Sequence, residues 1–171
     1  TDDLKRAIQE YNRGRVLLTK LDELRSREKV PITGADATSV IIAANAMPRD
    51  AYNQLLKDLL DELGRKKGGI KGRKRLLLAG SANDDVDLVR LIESSGGVMV
   101  ADTLCFGSRS YTDLIEENGD PVVAISRRYL SHKLCPRMFG TYKHRLAFMK
   151  ERIGQANVDG VILQNIRFCD M

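Results

Sequence analysis

The chain has 171 residues, of which 43% are hydrophobic and 30% are charged, with a formal net charge of +5. This composition is that of a globular protein and suffices for one domain with a helical appendage. No run approaches the roughly 20 apolar residues of a membrane helix, and no charged-then-apolar leader opens the chain, so we predict a cytoplasmic protein without a membrane partner.

Residues 1–64 form a predicted helical section. Apolar residues recur at helical spacing through residues 3–26, with charged residues between them. The segment 33–36 offers a cap for a second helix that reaches about residue 46. Pro48 opens a third helix, whose apolar stripe ends at Gly64.

A basic tract follows at residues 65–75, with seven Lys or Arg residues, three glycines and no acidic residue. The glycines favour a flexible, solvated linker. Such a tract attracts polyanions, but no nucleic-acid-binding signature or interleaved aromatic residues accompany it, so a nucleic acid partner is not favoured. A small ligand that bears phosphate, such as a nucleotide or coenzyme A, stays open.

The hydrophobic pattern changes after the tract, because residues 75–80 form a short, continuous apolar run. Such a run is typical of a parallel strand covered on both faces. A helix capped by Asp84 or Asp85 then leads to a second apolar run at 98–101, which completes a right-handed β-α-β unit. Helices at 121–130 and 139–156 and a strand at 160–163 follow. We therefore predict an α/β fold with three parts: a helical section at 1–64, a basic linker at 65–75, and a Rossmann-like parallel sheet flanked by helices at 76–171.

The chain has three cysteines, Cys105, Cys135 and Cys169. An odd number at wide spacing, without a secretory signal, does not favour a disulfide framework, so metal-binding and reactive roles stay open. Cys169 follows the last predicted strand, and open α/β sheets gather their ligands at the carboxyl ends of strands. The alternative is an inert, half-buried thiol, since free cysteine usually behaves as a small hydrophobic residue.

The loop after the second predicted strand, residues 102–111, is another candidate site. It brings a thiol, a hydroxyl and a guanidinium to the same end of the sheet, in Cys105, Ser108 and Arg109. The alternative is an ordinary connecting loop in which Arg109 is an ion-pairing surface residue. The segment 80–81 could offer backbone N–H groups to a phosphate, but no dinucleotide or P-loop pattern surrounds it, so a tight turn is the better interpretation.

Six motifs carry a resemblance to a known family through their order along the chain. They are Tyr11-Asn-x-x-Arg15, Pro31-Ile-Thr-Gly34, Leu76-Leu-Leu-Ala-Gly-Ser81, Ile92-Glu-Ser-Ser-Gly-Gly97, Ala101-Asp-Thr-Leu-Cys-Phe-Gly-Ser-Arg109, and Ala156-Asn-Val-Asp-Gly-Val-Ile162 with Phe168-Cys-Asp170. Together they resemble the family of 2-hydroxyacyl-CoA dehydratase and benzoyl-CoA reductase subunits, in particular the D-component of 2-hydroxyglutaryl-CoA dehydratase. The resemblance covers nearly the whole chain.

The resemblance implies a cofactor, partners and site residues. Members of this family have two related subunits, each with a 4Fe–4S cluster held by three cysteines, and a separate ATP-dependent iron–sulfur activator protein supplies one electron. Thiolates are the expected ligands, and three of them leave one iron free for a substrate oxygen. Cys169 matches the last cluster cysteine of the family, with Cys135 and Cys105 as second choices. Ser108 and Arg109 match a loop that faces the acyl-CoA cleft, and the basic region 133–145 is a candidate for neutralising CoA phosphates.

Three hypotheses about function follow. The first is a fragment of an iron–sulfur enzyme subunit that dehydrates a 2-hydroxyacyl-CoA to an enoyl-CoA by radical chemistry, or reduces an aromatic ring. We expect a fragment, inactive by itself, because the chain starts without Met and ends two residues after Cys169, while the other two cluster ligands of the family precede the first helix. The second is a non-catalytic subunit for CoA binding or assembly. The third is a nucleic-acid-binding module that uses the basic tract.

Overall fold

The computed structural model describes residues 2–132, 134–135 and 138–165. They form the helices α1 (Asp2–Arg25), α2 (Gly34–Ala43), α3 (Arg49–Arg65), α4 (Val86–Ser94), α5 (Ser108–Tyr111), α6 (Pro121–Ser131) and α7 (Tyr142–Gln155), and the strands β1 (Lys74–Gly80), β2 (Gly97–Thr103) and β3 (Gly160–Gln164). The predicted α/β class is confirmed, since a helical N-terminal section precedes a parallel sheet flanked by helices. Within the described residues, no helix has both the length and the apolar character needed to cross a bilayer.

The sheet has the order β2-β1-β3, and both strand pairs are parallel. Successive side chains of the central strand β1 point to opposite faces, and Leu77 and Leu78 there are 0% and 1% exposed. Leu77 packs in a cluster with residues of α7, and Leu78 packs in a cluster with residues of α4. Because the strands are parallel, their carboxyl ends meet at one edge of the sheet.

The helical section and the sheet share their hydrophobic cores. The core between α1, α2 and α3 includes Leu21 and Leu56, and it also includes Tyr111 from the segment after β2. In the other direction, Ala35 of α2 packs in the same cluster as Leu78 of β1. The division into a helical section, a linker and a Rossmann-like domain stays a prediction.

The carboxylate of Glu93 attaches α2 to the sheet. Glu93 lies on α4 and is buried, and it accepts hydrogen bonds from the backbone N–H groups of Gly34 (2.7 Å), Ala35 (3.2 Å) and Met99 (3.0 Å). A carboxylate at this place satisfies the free N–H groups at the start of a helix and interacts favourably with its dipole. A Cβ atom on Gly34 would overlap the side chain of Met99, so glycine permits this close approach.

The basic tract makes fixed contacts that its glycine content did not predict. Ile70 and Val30 form an antiparallel bridge with two backbone hydrogen bonds of 3.0 and 2.8 Å. Val30 is fully buried in this bridge. The Arg75 guanidinium donates hydrogen bonds to backbone carbonyls that follow α1 and α7, including Ser26 (3.0 Å) and Ala156 (2.8 Å). The tract therefore contributes to the fold as well as connecting its parts.

Replacing Arg75 with methionine is expected to lower the free energy of unfolding by ~1.5–3 kcal/mol, because hydrogen bonds from a charged group are lost while their acceptors stay in place. Lys74→Met is the matched control, because Lys74 is an exposed neighbour; its expected effect is within ~0.5 kcal/mol. Urea unfolding followed by circular dichroism measures both values. If Arg75→Met and Lys74→Met both lower the free energy of unfolding by the same small amount, the tract behaves as a solvated linker.

Candidate functional site

A cavity of about 420 Å³ lies at the carboxyl ends of the strands, between the sheet and α7. The strands contribute Gly80 and Gln164, and α7 contributes Arg145, Leu146 and Met149 to its wall. Clefts of this size at the carboxyl ends of parallel strands are the usual ligand sites of open α/β sheets. The cavity is therefore the candidate functional site of the described residues.

Gly80 shapes the floor of the cavity through its backbone. It has a φ of +147°, a conformation that residues with a side chain rarely adopt. A Cβ atom at this position would overlap the backbone carbonyl of Gln164 in the neighbouring strand β3. Glycine therefore allows β1 and β3 to come together where the cavity begins. Gly80 is the last residue of β1, and the tight turn predicted for residues 80–81 stays a prediction.

Arg109 reaches the cavity from α5, but its guanidinium is bonded to the protein itself. It donates to the carbonyls of Gly80 (2.6 Å) and Leu134 (2.9 Å) and to the Cys105 sulfur (3.1 Å). Burial lowers the pKa of Arg109, and the nearby thiols of Cys105 and Cys135 oppose this shift. Arg109 is only 5% exposed, so the alternative of an ion-pairing surface residue is wrong.

Ser108 is buried beside the cavity rather than on its surface. Its hydroxyl donates to the Asp102 carbonyl (2.7 Å), and its backbone N–H donates to the Asp102 carboxylate (2.7 Å). The side chain is 1% exposed, so it would have to give up its bond to reach a ligand. Contact of Ser108 and Arg109 with substrate stays a prediction.

Five side chains, which we call the buried charge cluster, join α1, β2, α5 and α7; four of them are buried and Arg152 is half-buried. They are Asp22, Arg25, Asp102, Tyr111 and Arg152. Arg25 Nη1 lies 3.2 Å from Asp22 Oδ1 and 3.6 Å from Asp102 Oδ2. Asp22 Oδ2 accepts a hydrogen bond from the Tyr111 hydroxyl (2.9 Å) and pairs with Arg152 Nη2 (2.9 Å). Two carboxylates thus face two guanidinium groups.

The electrostatics of the buried charge cluster hold Tyr111 and Arg152 protonated. Burial, together with Asp22 and Asp102, raises the pKa of Tyr111 well above its ordinary value. Burial by itself lowers the pKa of Arg152. The adjacent Asp22 carboxylate opposes this effect, and the pKa of Arg152 is raised. Tyr111 therefore remains a hydrogen-bond donor and Arg152 remains a cation across the physiological pH range.

The buried charge cluster also fixes the turn that carries Arg109. Asp102 Oδ1 accepts hydrogen bonds from the backbone N–H groups of Leu104 (3.2 Å) and Ser108 (2.7 Å). A Cβ atom on Gly107 would overlap this carboxylate, so glycine is needed where the turn passes it. One oxygen of Asp102 thus faces Arg25 and the other holds the turn beside the cavity.

Sequence reasoning missed the buried charge cluster, although α1 carries a signal for part of it. Asp22 follows Leu18 by four residues and Arg25 follows Leu21 by four, so both charged residues stand at the spacing of core positions. Charged residues at such positions indicate buried ion pairs. Arg152 on α7 follows the buried Phe148 by four residues in the same way, whereas Asp102 on β2 has no such signal.

Comparison with known proteins supplies the family. The model of the 2-hydroxyglutaryl-CoA dehydratase D-component family matches residues 1–171. The chain belongs to this family. The resemblance found in the six sequence motifs is thereby confirmed.

Two curated relatives of this dehydratase D-component family member agree with that assignment. The (R)-phenyllactyl-CoA dehydratase beta subunit of Clostridium sporogenes is 24% identical over 169 residues, which are 99% of this chain and 45% of the relative. A benzoyl-CoA reductase subunit of Thauera aromatica is 27% identical over 175 residues, again 99% of this chain and 45% of the relative. The chain spans about half the length of the curated relatives it matches.

The cysteines of this family member are placed differently with respect to the cavity. Cys105 and Cys135 are half-buried free thiols, and the Cys105 sulfur accepts a hydrogen bond from Arg109 (3.1 Å). Cys169, the predicted cluster ligand, lies outside the described residues. Within the described ranges, no group of three or more His, Cys, Asp or Glu side chains could hold a metal ion. These residues by themselves therefore do not fit a three-cysteine cluster.

Proposed function

We propose that the chain is part of a subunit of an iron–sulfur enzyme that acts on acyl-CoA thioesters. The proposed reaction is the radical dehydration of a 2-hydroxyacyl-CoA to an enoyl-CoA after one-electron activation. In this reaction the α C–O bond and a β C–H bond break, a carbon–carbon double bond forms, and water leaves without net oxidation. The observation that carries the proposal is the family match over residues 1–171.

The cavity at the strand ends supports an acyl-CoA ligand. Leu146, Met149 and Leu163 give it an apolar wall, and Arg145 lies on the same cavity. An acyl-CoA combines an apolar chain with phosphate groups, so it can use both kinds of surface. Arg109 and Ser108 are the substrate-binding residues that the family resemblance suggests, and Arg109 is the one that lines the cavity.

The proposed cofactor is a 4Fe–4S cluster, with Cys169 as a ligand and Cys135 as the second candidate. Its remaining ligands would have to come from outside the described residues, since Cys105 is hydrogen-bonded to Arg109 and no three-ligand group is present within them. The proposed partners are a related second subunit and an ATP-dependent iron–sulfur activator protein. Both curated relatives are enzyme subunits, which supports the first of these partners.

The cluster proposal predicts the iron content of the full-length protein. When it is prepared without oxygen, the wild type is expected to contain iron and sulfide, and Cys169→Ala is expected to lose most of both, because a cluster with three thiolate ligands loses one of them. Cys105→Ala is the matched control and should keep the wild-type iron content. Chemical iron and sulfide analysis with visible absorption measures these values. Full iron content in Cys169→Ala would remove Cys169 from the set of ligands.

Aromatic ring reduction is the second candidate reaction, because the benzoyl-CoA reductase relative is as similar to the chain as the dehydratase relative is. It consumes electrons and protons, whereas dehydration releases water without net reduction. Incubation of the activated complex with a 2-hydroxyacyl-CoA and with an aromatic acyl-CoA, followed by mass spectrometry, separates the two reactions. A complete protein without visible absorption and without either activity would favour a non-catalytic subunit for CoA binding or assembly.

A further inference from the structure

Arg145 is a cation of the cavity whose guanidinium is not engaged by any of the described residues. It lies in the first turns of α7, is half-buried, and lines the cavity. Within the described residues, no hydrogen bond and no ion pair holds its guanidinium. A guanidinium beside apolar walls attracts an anion more strongly than one in open solvent, because water screens it less.

Arg109 differs from Arg145 in its contacts with the described residues. Arg109 is almost fully buried, and both terminal nitrogens donate hydrogen bonds to the protein itself. Burial is the main cause that lowers the pKa of Arg109, and the positive charge of Arg145 lowers it further, so the two cations repel each other. An anion bound at Arg145 would relieve this repulsion. Arg109 is therefore suited to stabilising the end of β1, and Arg145 is suited to binding a ligand.

The surroundings of Arg145 match a ligand that is both anionic and apolar. Leu146, Met149 and Leu163 line the same cavity. Lys143 lies exposed on the same helix and adds positive potential outside the cavity. Guanidinium groups bind carboxylate and phosphate through paired hydrogen bonds, which gives this contact both affinity and orientation.

We propose that Arg145 is the anion-binding and specificity-determining residue of this cavity, and that it holds a phosphate or carboxylate group of an acyl-CoA ligand. The proposal rests on the proposed function, and it singles out one residue of the basic region 133–145. The anion has two possible sources: the phosphates of coenzyme A, or a second carboxylate at the far end of the acyl chain. The two sources predict different patterns of binding.

The test measures binding of defined probes to the full-length protein by calorimetry. The probes are hexanoyl-CoA, adipyl-CoA, which carries a second carboxylate, and hexanoyl-pantetheine, which lacks all phosphates. Arg145→Gln is expected to weaken binding of at least one CoA probe by ~10–100-fold, as expected for loss of a charge-assisted contact. Lys150→Gln removes the same charge from an exposed position of the same helix and should change affinity less than ~3-fold.

The probes distinguish the two sources of the anion. If Arg145 holds phosphate, both CoA probes lose affinity equally and hexanoyl-pantetheine is unaffected by the substitution. If it holds the acyl carboxylate, only adipyl-CoA loses affinity. Wild-type affinity of Arg145→Gln for all three probes would overturn the inference while leaving the proposed function intact. Failure of the folded wild type to bind any probe would instead contradict both. Should Arg145→Gln fail to fold, Arg145→Met removes the same charge with a side chain suited to the apolar wall, and the same outcomes apply.

Discussion

Replacing Arg25 with methionine is expected to lower the free energy of unfolding by ~3–5 kcal/mol, because the substitution leaves two buried carboxylates without their shared cation. Arg25 is 1% exposed, and its guanidinium lies between Asp22 and Asp102. Taking a charge out of water costs several kcal/mol, and the attraction of an opposite charge offsets that cost only while both partners are present. Urea unfolding at neutral pH measures the loss.

Two further variants show whether the loss comes from the unpaired charge. Arg127→Met removes an arginine of an exposed ion pair with Glu116, for which less than ~1 kcal/mol is expected. The double variant Arg25→Met with Asp102→Asn removes one buried charge of each sign and should recover part of the lost stability. The losses of unfolding free energy are also measured for Arg25→Met and for Asp102→Asn alone. If the double variant loses more stability than the sum of these two losses, the missing cation is not the cause.

Replacing Gly80 with alanine is expected to cost ~2–6 kcal/mol and to weaken ligand binding in the cavity. The positive φ accounts for ~1–3 kcal/mol of this loss. The overlap of the new Cβ atom with the Gln164 carbonyl accounts for a further ~1–3 kcal/mol. Because Gly80 and Gln164 both line the cavity, separation of β1 from β3 would widen its floor.

Alanine substitutions at two other glycines distinguish the cost of backbone strain from the cost of steric overlap. Gly119 has a φ of +87° but open space around its Cα atom, so Gly119→Ala should cost only the strain, ~1–3 kcal/mol. Gly154 lies within α7 and has no positive φ, and a Cβ atom added there would meet no atom of another part of the chain within 4 Å. Gly154→Ala should therefore be stabilising by ~0.5–1 kcal/mol. Thermal or urea unfolding of the three variants tests this order. A Gly80→Ala protein as stable as Gly119→Ala would show that β3 shifts without cost.

The sequence predicted the elements of this fold well where local patterns determine them. The change from helical periodicity to a continuous apolar run located β1, and Asp85 does cap α4 through a hydrogen bond to Leu88 N. Boundaries were less exact where backbone conformation decides them. α7 was predicted from residue 139 but begins at Tyr142, because Gly140 adopts a φ of +76° that an α-helix does not contain.

The candidate site was harder to predict because its geometry depends on contacts between distant parts of the chain. The sequence indicates the polar loop 102–111 as a candidate site, which stays a prediction, but the helical turn α5 inside it forms around the Asp102 carboxylate, and no local motif predicts that bond. In the sequence, Arg145 is only one of several basic residues of the region 133–145. Its place in the cavity follows from how α7 packs on the sheet, which the sequence pattern of that helix does not reveal.

The ion pair between Asp22 and Arg152 has a consequence for the order of folding. It joins the first helix of the described chain to the last, so the charge balance of the buried cluster is complete only when both are in place. During synthesis, α1 emerges from the ribosome long before α7, and until then Asp22 lacks one of its two cations. Non-local contacts of this kind slow folding, since a long loop must close before they form. The N-terminal helices are thus expected to mature late, together with the wall of the cavity.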